Sequence, residues 1–299
     1  MKTVIAEKPS VAREIACLLG VGTKNEGYFS GNGYFVTWAF GHLIGLAMPA
    51  DYGISGFSAG SLPILPNPYL LTERKIKRGK EWISDKNSVR QLNVIKQLFK
   101  ESENIIVATD AGREGELIFR YIYEFLGCTK PFQRLWISSL TEKAIKQGFD
   151  NLKDGKEFDG LYQAAQGRSR ADWLVGINAT QALSIAAGNG VYSLGRVQTP
   201  TLALICKRYL ENKNFSVKKY WQIQLLHHKA GIDFKSLSKT KWEDQKLADD
   251  TLKAIQRSDT ATITSVETKS VTEQPPLLFD LTGLQKEANK NSTFLPKKP

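Results

Sequence analysis

Two units, each an apolar strand followed by an acidic turn and an amphipathic helix, constrain the fold of this chain more than any other feature of its sequence. The first has its strand over residues 3–6 and its acid at Glu7. The second has its strand over residues 104–109 and its acid at Asp110. Because strands joined through a helix usually pair in parallel, these units predict an α/β layer built on a parallel sheet.

A further strand is predicted over residues 34–39, and the character of the sequence changes after about residue 155. Beyond that point, helical periodicity and period-two alternation predict the elements. They are helices over 161–185 and 199–210, a strand over 220–225, a helix over 244–256, a strand over 261–266 and the first turns of a helix over 279–289. Thr199 and Pro200 are typical of the N-cap and first position of a helix.

The charge balance indicates a polyanionic partner. The chain has 41 Lys and Arg residues against 30 Asp and Glu, a net charge of +11 over 299 residues. Such an excess favours nucleic acid or an acidic membrane surface. No apolar run reaches the roughly 18 residues of a membrane span, so we expect no membrane partner. Three scattered cysteines and the lack of a signal peptide exclude a disulfide scaffold and a zinc ribbon, and indicate a cytoplasmic protein.

Acidic residues follow the carboxyl ends of both main strands. Glu7 follows the first, and Asp110 and Glu114 follow the second. Ligands of open α/β sheets bind at this edge, and carboxylates without nearby His or Cys suit Mg²⁺. The ion would neutralise a phosphodiester in phosphoryl transfer, and Lys8 and Arg113 would add phosphate contacts.

A structural interpretation of the same acids stays open. Asp110 is a suitable helix N-cap, and Glu114 and Glu116 favour the positive end of a helix dipole. The occurrence of Glu7 with Lys8 on one strand end and of Asp110 with Glu114 on another favours a functional site.

Two later segments are candidate phosphate contacts. Arg168 and Arg170 lie on the long helix, where a structural interpretation pairs Arg168 with Asp172 at i,i+4. The loop before the next helix places backbone N–H groups near a helix N-terminus, a favourable place for phosphate, although it also fits an ordinary helix entry. The candidate residues of that loop are Ser193, Leu194, Gly195, Arg196, Val197 and Gln198.

Other candidates are weaker. His42 fits a structural histidine better than a general base, and His227 and His228 fit a strand surface better than a metal site. The basic run over residues 74–80 is typical of a solvated face, although it could extend the surface that binds DNA. Trp82 and Trp173 could stack on bases, although buried tryptophans are more common.

Four motifs make this sequence recognisable. The chain resembles the type IA DNA topoisomerases, and in particular the bacterial topoisomerase III branch. The motifs follow one another in the order of that family and cover most of the chain. They read IAEKPS over residues 5–10, ATDAGREGE over 108–116, RSRADWL over 168–174 and SLGRVQTP over 193–200.

The resemblance implies an α/β fold in which a Toprim (Rossmann-like) domain precedes part of a helical domain and a β-rich arm of the type IA toroid. The implied domains are a Toprim domain over 1–150, the first part of a helical DNA-binding domain over 151–215, the first part of the β-rich arm over 216–278, and the start of the nucleophile-bearing domain over 279–299.

The resemblance also implies roles for individual residues. Glu7, Lys8, Asp110 and Glu114 would be catalytic, the three acids would hold Mg²⁺, and Lys8 would contact the scissile phosphate. Gly112 stands where the family motif has its middle acid, which puts a second metal site in question, while Glu7, Asp110 and Glu114 could still hold one ion. The implied DNA contacts are Arg113, Arg168, Arg170, Ser193, Leu194, Gly195, Arg196, Val197 and Gln198.

The implied activity is Mg²⁺-dependent, ATP-independent cleavage of one DNA strand through a 5′-phosphotyrosyl intermediate, followed by strand passage and religation. This reaction relaxes negative supercoils or decatenates DNA. The expected partner is single-stranded or negatively supercoiled DNA, and the expected enzyme is a monomer at the nucleoid.

The nucleophilic tyrosine of such enzymes lies in a Tyr-Pro-Arg-Thr-like motif, which none of the ten tyrosines of this chain matches. We therefore expect an N-terminal portion that binds DNA and Mg²⁺ but does not complete strand passage. Two alternatives stay open. One is another Toprim enzyme of the primase or nuclease kind, and the other is a non-catalytic protein that binds single-stranded DNA.

Overall fold

The computed structural model describes residues 1–79, 81–258 and 260–291. The chain divides into two compact units, the first over residues 1–214 and the second beginning at Phe215. Each unit has its own set of helices and strands.

The first unit contains eleven of the described strands and six of the described α-helices. Its strands are β1 (Lys2–Ala6), β2 (Thr23–Asn25), β3 (Tyr28–Gly31), β4 (Tyr34–Trp38), β5 (Ile44–Leu46), β6 (Leu71–Glu73), β7 (Lys75–Arg78), β8 (Glu81–Ser84), β9 (Asn104–Ala108), β10 (Phe132–Arg134) and β11 (Lys153–Asp154). Its helices are α1 (Pro9–Leu18), α2 (Lys86–Glu101), α3 (Arg113–Phe125), α4 (Glu142–Asp150), α5 (Asp159–Ala187) and α6 (Gln198–Lys213).

A seven-stranded sheet organises the first unit. Its strand order is β11-β10-β9-β1-β4-β3-β2. The central strand β1 pairs in parallel with both β9 and β4, so that Ala6 lies beside Ala108 on one side and beside Trp38 on the other. The predicted α/β fold and the parallel pairing of the two main strands are therefore confirmed, although the sheet is mixed, because β11, β3 and β2 join it by antiparallel pairing. The register places the carboxyl ends of β1 and β9 side by side.

Apolar side chains pack on both faces of this sheet. On one face, Val4 and Ile106 pack in a cluster with Ile15 of α1. On the other face, Ile5 and Val107 pack in a cluster that contains residues of α2, α3 and α5. Because β1 and β9 are covered on both faces, their sequences are continuous apolar runs rather than alternating ones. Each buried aliphatic side chain stabilises the sheet by about 1.5–3 kcal/mol.

The long helix matches its prediction, whereas the start of the following helix does not. The helix predicted over 161–185 is α5, which is slightly longer at both ends. Helix α6 begins at Gln198, so the prediction that Thr199 is its N-cap is wrong. The Thr199 amide already donates to the Gly195 carbonyl at 3.2 Å, which places Thr199 inside the first turn.

The second unit contains a hairpin and two helices among its described residues. These elements are β12 (Gln224–Lys229), β13 (Ile232–Leu237), α7 (Gln245–Ile255) and α8 (Leu281–Asn291). The strand predicted over 220–225 is mostly absent, because Trp221 makes only an isolated bridge with Trp242 and β12 begins at Gln224.

The strand predicted over 261–266 is wrong for these described residues, which have no regular secondary structure. Their apolar side chains are exposed, with 65% of Ile263 and 81% of Val266 accessible. An alternating pattern fits a half-buried strand, but such a strand forms only where a neighbour satisfies its backbone groups. No described helix of the chain is both long and apolar enough to cross a membrane.

Candidate functional site

The two acids at the strand ends lie together, as the parallel register requires. The Asp110 amide donates to the Glu7 Oε2 carboxylate oxygen at 3.3 Å. The Glu7 side chain is mostly buried, with 13% exposed, whereas 59% of the Asp110 side chain is exposed. The structure therefore places one carboxylate at the base of the site and the other toward solvent.

Lys8 lies between these carboxylates. Its Nζ is 3.4 Å from Asp110 Oδ2 and 3.6 Å from Glu7 Oε1. The charge of Asp110, and next that of Glu7, raises the pKa of the Lys8 amine above its usual value. The side chain therefore carries its positive charge at neutral pH, at the edge where the sequence predicts a phosphate contact.

The turn that carries Asp110 is held by a close backbone contact. A Cβ atom on Gly115 would overlap the Asp110 carbonyl oxygen, so only glycine fits at this position. The Thr109 hydroxyl donates to the Gly115 carbonyl at 2.7 Å and closes the same turn. These contacts fix the distance between the end of β9 and the first turn of α3.

A buried arginine, which we did not predict, supports the same strand end. Arg134 has no exposed surface and lies on β10, beside β9. Its guanidinium donates to the carbonyls of Val107 at 3.0 Å, Thr109 at 2.8 Å and Asp110 at 2.8 Å. Burial lowers the pKa of this guanidinium, and the charge of Glu116 opposes that shift.

Glu116 balances the charge of Arg134 inside the protein. Its side chain is fully buried, with Oε2 3.0 Å from the Arg134 Nε and Oε1 2.8 Å from the Arg120 Nε. The Nη2 atom of Arg120 also lies 2.6 Å from the Oδ1 atom of Asp159 at the start of α5. This network joins the acidic strand end to the long helix. The sequence signal was an arginine inside the run 132–137, in which every other residue except Gln133 is apolar.

Glu114 lies on the first turn of α3 and faces basic residues. Its Oε1 is 3.4 Å from Arg168 Nη1, and its Oε2 is 3.6 Å from His42 Nε2. About half of the His42 side chain is exposed, and its role as a structural histidine rather than a general base stays a prediction. Arg168 also lies 3.7 Å from Asp172, in the i,i+4 pair that the structural interpretation predicted.

A cavity of about 550 Å³ opens beside this group. Its lining includes His42, Glu114, Tyr121, Arg168 and Asp172. The volume is within the range of ordinary ligand sites. The cavity lies between α3 and α5. Arg168 of α5 faces Glu114 of α3, which is one of the predicted metal ligands.

The donor set fits a magnesium ion that is held by few protein ligands. Within the described ranges, no group of three or more His, Cys, Asp or Glu side chains is close enough together to hold a metal ion. Mg²⁺ commonly uses only one or two carboxylates, with waters and substrate phosphates as its other ligands. Glu7 and Asp110 offer such a pair, whereas Glu114 is engaged with Arg168 and His42.

The remaining predicted DNA contacts on helices lie apart from one another. Arg113 is the first residue of α3 and is exposed. The Arg170 guanidinium lies 5.0 Å from the centre of the Tyr69 ring and is partly buried. Two positions along a helix differ by about 200° in direction, so Arg170 and Arg168 present different faces of α5.

The loop before α6 is closed by its own hydrogen bonds. The Leu194 amide donates to the Thr180 hydroxyl at 2.9 Å, and the Gly195 amide donates to the Thr199 hydroxyl at 3.0 Å. These two N–H groups are therefore engaged within the protein, and the use of the loop as a phosphate site stays a prediction. The side chains of the loop remain candidate DNA contacts. The Gln198 amide donates a hydrogen bond to the Ser193 hydroxyl at 2.6 Å, and Val197 is 63% exposed.

Arg196 of this loop pairs with the long helix. Its Nε and Nη2 lie 2.6 and 3.3 Å from the two carboxylate oxygens of Asp172. A hydrogen bond from Arg196 lowers the pKa of the Asp172 carboxyl. Because Asp172 also lies near Arg168, this carboxylate orients two arginines at one edge of the cavity.

Among the tryptophan and histidine candidates, Trp173 is buried and the others are exposed or partly exposed. Trp173 is buried and donates to the Ala47 carbonyl at 2.9 Å, which is a structural role. Trp82 is 64% exposed. His227 and His228 lie on the exposed hairpin of the second unit, as predicted, with His228 2.5 Å from Asp233.

Two family models match this chain. The Toprim domain model matches residues 2–140, and a model described as DNA topoisomerase matches residues 156–299. The second match begins just before α5, and residues 141–155 lie between the two matches.

Relatives of known name extend these matches. The chain is 42% identical to DNA topoisomerase 3 of Shouchella clausii over 99% of this chain and 40% of the relative. It is also 42% identical to DNA topoisomerase 3 of Bacillus licheniformis over 98% of this chain and 40% of the relative. The chain thus spans about two fifths of the length of these curated relatives.

A solved structure shows the same fold. Full-length topoisomerase I from Thermotoga maritima has a TM-score of 0.60 with this chain at 25% sequence identity. The match covers 98% of this chain and 44% of that protein.

Proposed function

Because this chain belongs to the type IA DNA topoisomerases, we propose that it supplies the phosphate-handling side of their cleavage and rejoining reaction. The whole protein would cut one DNA strand through a 5′-phosphotyrosyl intermediate, pass another strand and religate, without ATP. The observation that carries this proposal is the cluster of Glu7, Lys8 and Asp110 on adjacent strand ends, with Arg168 beside the cavity.

Lys8 is suited to binding the phosphate of the bond that is cut. Its ammonium group is exposed, and the two carboxylates beside it keep it protonated. A lysine acts as a point charge toward phosphate, so its position needs to be set by other groups. Asp110 and Glu7 set that position in this protein.

Glu7 and Asp110 are the residues that would hold Mg²⁺, and Glu114 stays a predicted third ligand. When bound, the ion supplies neutralisation of the negative charge on the phosphodiester. Arg134 holds the backbone at Asp110, while Arg168, with Arg113, Arg170 and the side chains of the loop before α6, would contact the DNA backbone. Because Gly112 replaces an acid, the chain offers ligands for one ion.

The nucleophilic tyrosine would belong to the part of the relatives that this chain does not match. None of the ten tyrosines has the expected sequence context. We propose that residues 1–299 alone bind single-stranded DNA and Mg²⁺ without forming a covalent product. As part of the same proposal, the whole protein acts as a monomer at the nucleoid on single-stranded or negatively supercoiled DNA.

A covalent-trapping assay tests whether residues 1–299 bind DNA without forming a covalent product. Labelled single-stranded DNA is incubated with the chain and Mg²⁺, and filter binding is measured at two salt concentrations. We expect binding that weakens with salt, because phosphate contacts release counterions, and no adduct that survives denaturation. A covalent adduct would show that one of the ten tyrosines is the nucleophile, and a lack of binding would refute the proposed role in DNA contact.

Another kind of Toprim enzyme is not favoured, because the second family match lies entirely outside the Toprim domain. A non-catalytic binding protein is not favoured either. It has no need for Glu7, Lys8 and Asp110 to converge at a sheet edge.

A further inference from the structure

A small hairpin projects from the rim of the candidate site. Strands β7 and β8 form their own two-stranded sheet. At the base of the hairpin, the Arg74 amide donates to the Leu43 carbonyl at 2.8 Å, and the Asp85 amide donates to the Arg74 carbonyl at 2.9 Å. Leu43 directly follows His42, which faces Glu114 at the cavity. The hairpin is therefore anchored one residue from a residue that lines the site.

One face of this hairpin combines a cation with an aromatic ring. The register pairs Lys77 with Trp82 and Lys75 with Ser84. Directly opposite residues of an antiparallel pair point to the same face, with their Cβ atoms about 4.5–5.5 Å apart. Lys77 is exposed and Trp82 is 64% exposed, so both side chains are accessible on that face.

These two side chains have no role in holding the described structure together. Within residues 1–79, 81–258 and 260–291, the side chains of Lys77 and Trp82 make no hydrogen bond, ion pair or ring contact, and the two residues are held only through their strands. Lys75 of the same strand differs, because it pairs with Asp51. The indole of Trp82 therefore presents a large apolar face to solvent, and its N–H group is free for a partner.

We propose that the face of the hairpin with Lys77 and Trp82 is an additional contact for single-stranded DNA. The indole stacks on an unpaired base and the ammonium group binds an adjacent phosphate. One nucleotide presents both of these partners, an anionic phosphate and a flat apolar base. The proposal rests on the proposed function, since it takes the strand that passes the cavity to be DNA.

Two features of the structure favour single-stranded DNA over other partners. The neighbouring positions Arg74 and Arg78 are also basic, and the whole chain carries a net charge of +11, so the surface complements a polyanion. A duplex keeps the faces of its bases stacked inside the helix, so an aromatic ring gains contact only with an unpaired strand. Lys80 of the same basic run lies outside the described residues.

The binding of a single-stranded oligonucleotide to the 299-residue chain tests the proposal. We expect Trp82→Ala to weaken binding roughly tenfold, because stacking on one base is lost. Trp82→Phe keeps a ring and is expected to restore most of the affinity. Lys77→Ala is expected to reduce the slope of log K against log salt by about 0.7, the value for one phosphate contact on a single strand.

Three controls distinguish the effect of base stacking and local contact on the affinity from the effect of the total charge of the chain. Lys96→Ala removes an exposed lysine of α2 and is expected to leave the affinity near that of the wild type. A fully paired duplex of the same length is expected to show no loss with Trp82→Ala. Quenching of tryptophan fluorescence by the oligonucleotide is expected to be smaller in Trp82→Phe than in the wild type.

The outcomes distinguish this proposal from the proposed function. If Trp82→Ala and Lys77→Ala bind as tightly as the wild type while Arg168→Ala binds more weakly, the hairpin proposal is wrong and the DNA-binding role stands. An equal loss for Lys96→Ala and Lys77→Ala also overturns it, because the effect is then one of total charge. If the wild-type chain binds no oligonucleotide, both proposals fail.

Discussion

The end of β9 and the loop before α6 both carry candidate phosphate-binding residues, but they are supported in different ways. At the end of β9, the backbone of Asp110 is held by the buried guanidinium of Arg134 and by the close approach of Gly115. In the loop, Arg196 pairs at an exposed surface with Asp172 of α5. Buried charges with several hydrogen bonds keep one geometry, whereas an exposed pair adjusts at little cost. The backbone at the strand end is thus held in one geometry, whereas the Arg196–Asp172 pair can rearrange at little cost.

The largest effect is expected from Arg134→Met. The substitution keeps much of the volume but leaves three backbone carbonyls and one side of Glu116 without their partner. Breaking a buried ion pair in this way typically costs about 3–5 kcal/mol. Urea denaturation of the two proteins measures the difference. Arg208→Met, at an exposed arginine of α6, is the control and is expected to change stability by less than about 0.5 kcal/mol. Equal stability of the wild type and Arg134→Met would remove the contrast between the two regions.

Gly115→Ala is expected to have the next largest effect. The added methyl group meets the Asp110 carbonyl oxygen, a backbone atom that cannot move without shifting the strand end. Overpacking of this kind costs about 1–3 kcal/mol. Thermal unfolding measures it, and Gly167→Ala is the matched control because nothing lies within 4 Å of a Cβ at that helical position. The control is expected to gain about 0.5–1 kcal/mol from helix propensity. A stabilised Gly115→Ala protein would show that the turn is not tightly packed.

Magnesium binding tests whether the preorganised strand end is a metal site. At an ion concentration ten times the Kd, binding stabilises the folded chain by about 1.4 kcal/mol. We expect Asp110→Asn to abolish the magnesium-dependent rise in Tm, whatever its effect on the Tm without the ion. Glu142→Gln, at an exposed acid of α4, is expected to keep the rise. Retention of the full rise in Asp110→Asn would exclude Asp110 as a ligand.

Arg196→Ala is expected to have the smallest effect. Its partner Asp172 is exposed, so solvent screens the pair and the Tm is expected to fall only slightly. Arg196 lowers the pKa of Asp172, so the pair stabilises the fold above the ordinary pKa of the carboxyl and loses that effect as the pH falls through the lowered value. The difference in Tm between the two proteins is therefore expected to disappear at acid pH. A loss as large as that of Arg134→Met would show that the loop is also a rigid part of the site.

The site residues differ in how well the sequence predicted them. Glu7, Lys8 and Asp110 were predictable because they follow apolar strands whose parallel pairing brings their ends together. Arg134 was not, because arginine is almost never fully buried unless it is paired, and Glu116 is a buried partner from a different element. The position of His42 at the cavity was missed because its flanking apolar residues resemble those of a core histidine.

The sequence by itself determined the two units of strand, acidic turn and helix, the apolar character of β1 and β9 and the acids that follow them. Local propensity and patterning act on neighbouring residues, so these features can be predicted from neighbouring residues. Only the tertiary structure decided that Arg134 supports Asp110, that Glu114 turns toward Arg168 and His42, and that residues 261–266 form no strand. Each of these depends on a partner distant in sequence, because burial, ion pairing and strand pairing are properties of what lies alongside a residue and not of the residue alone.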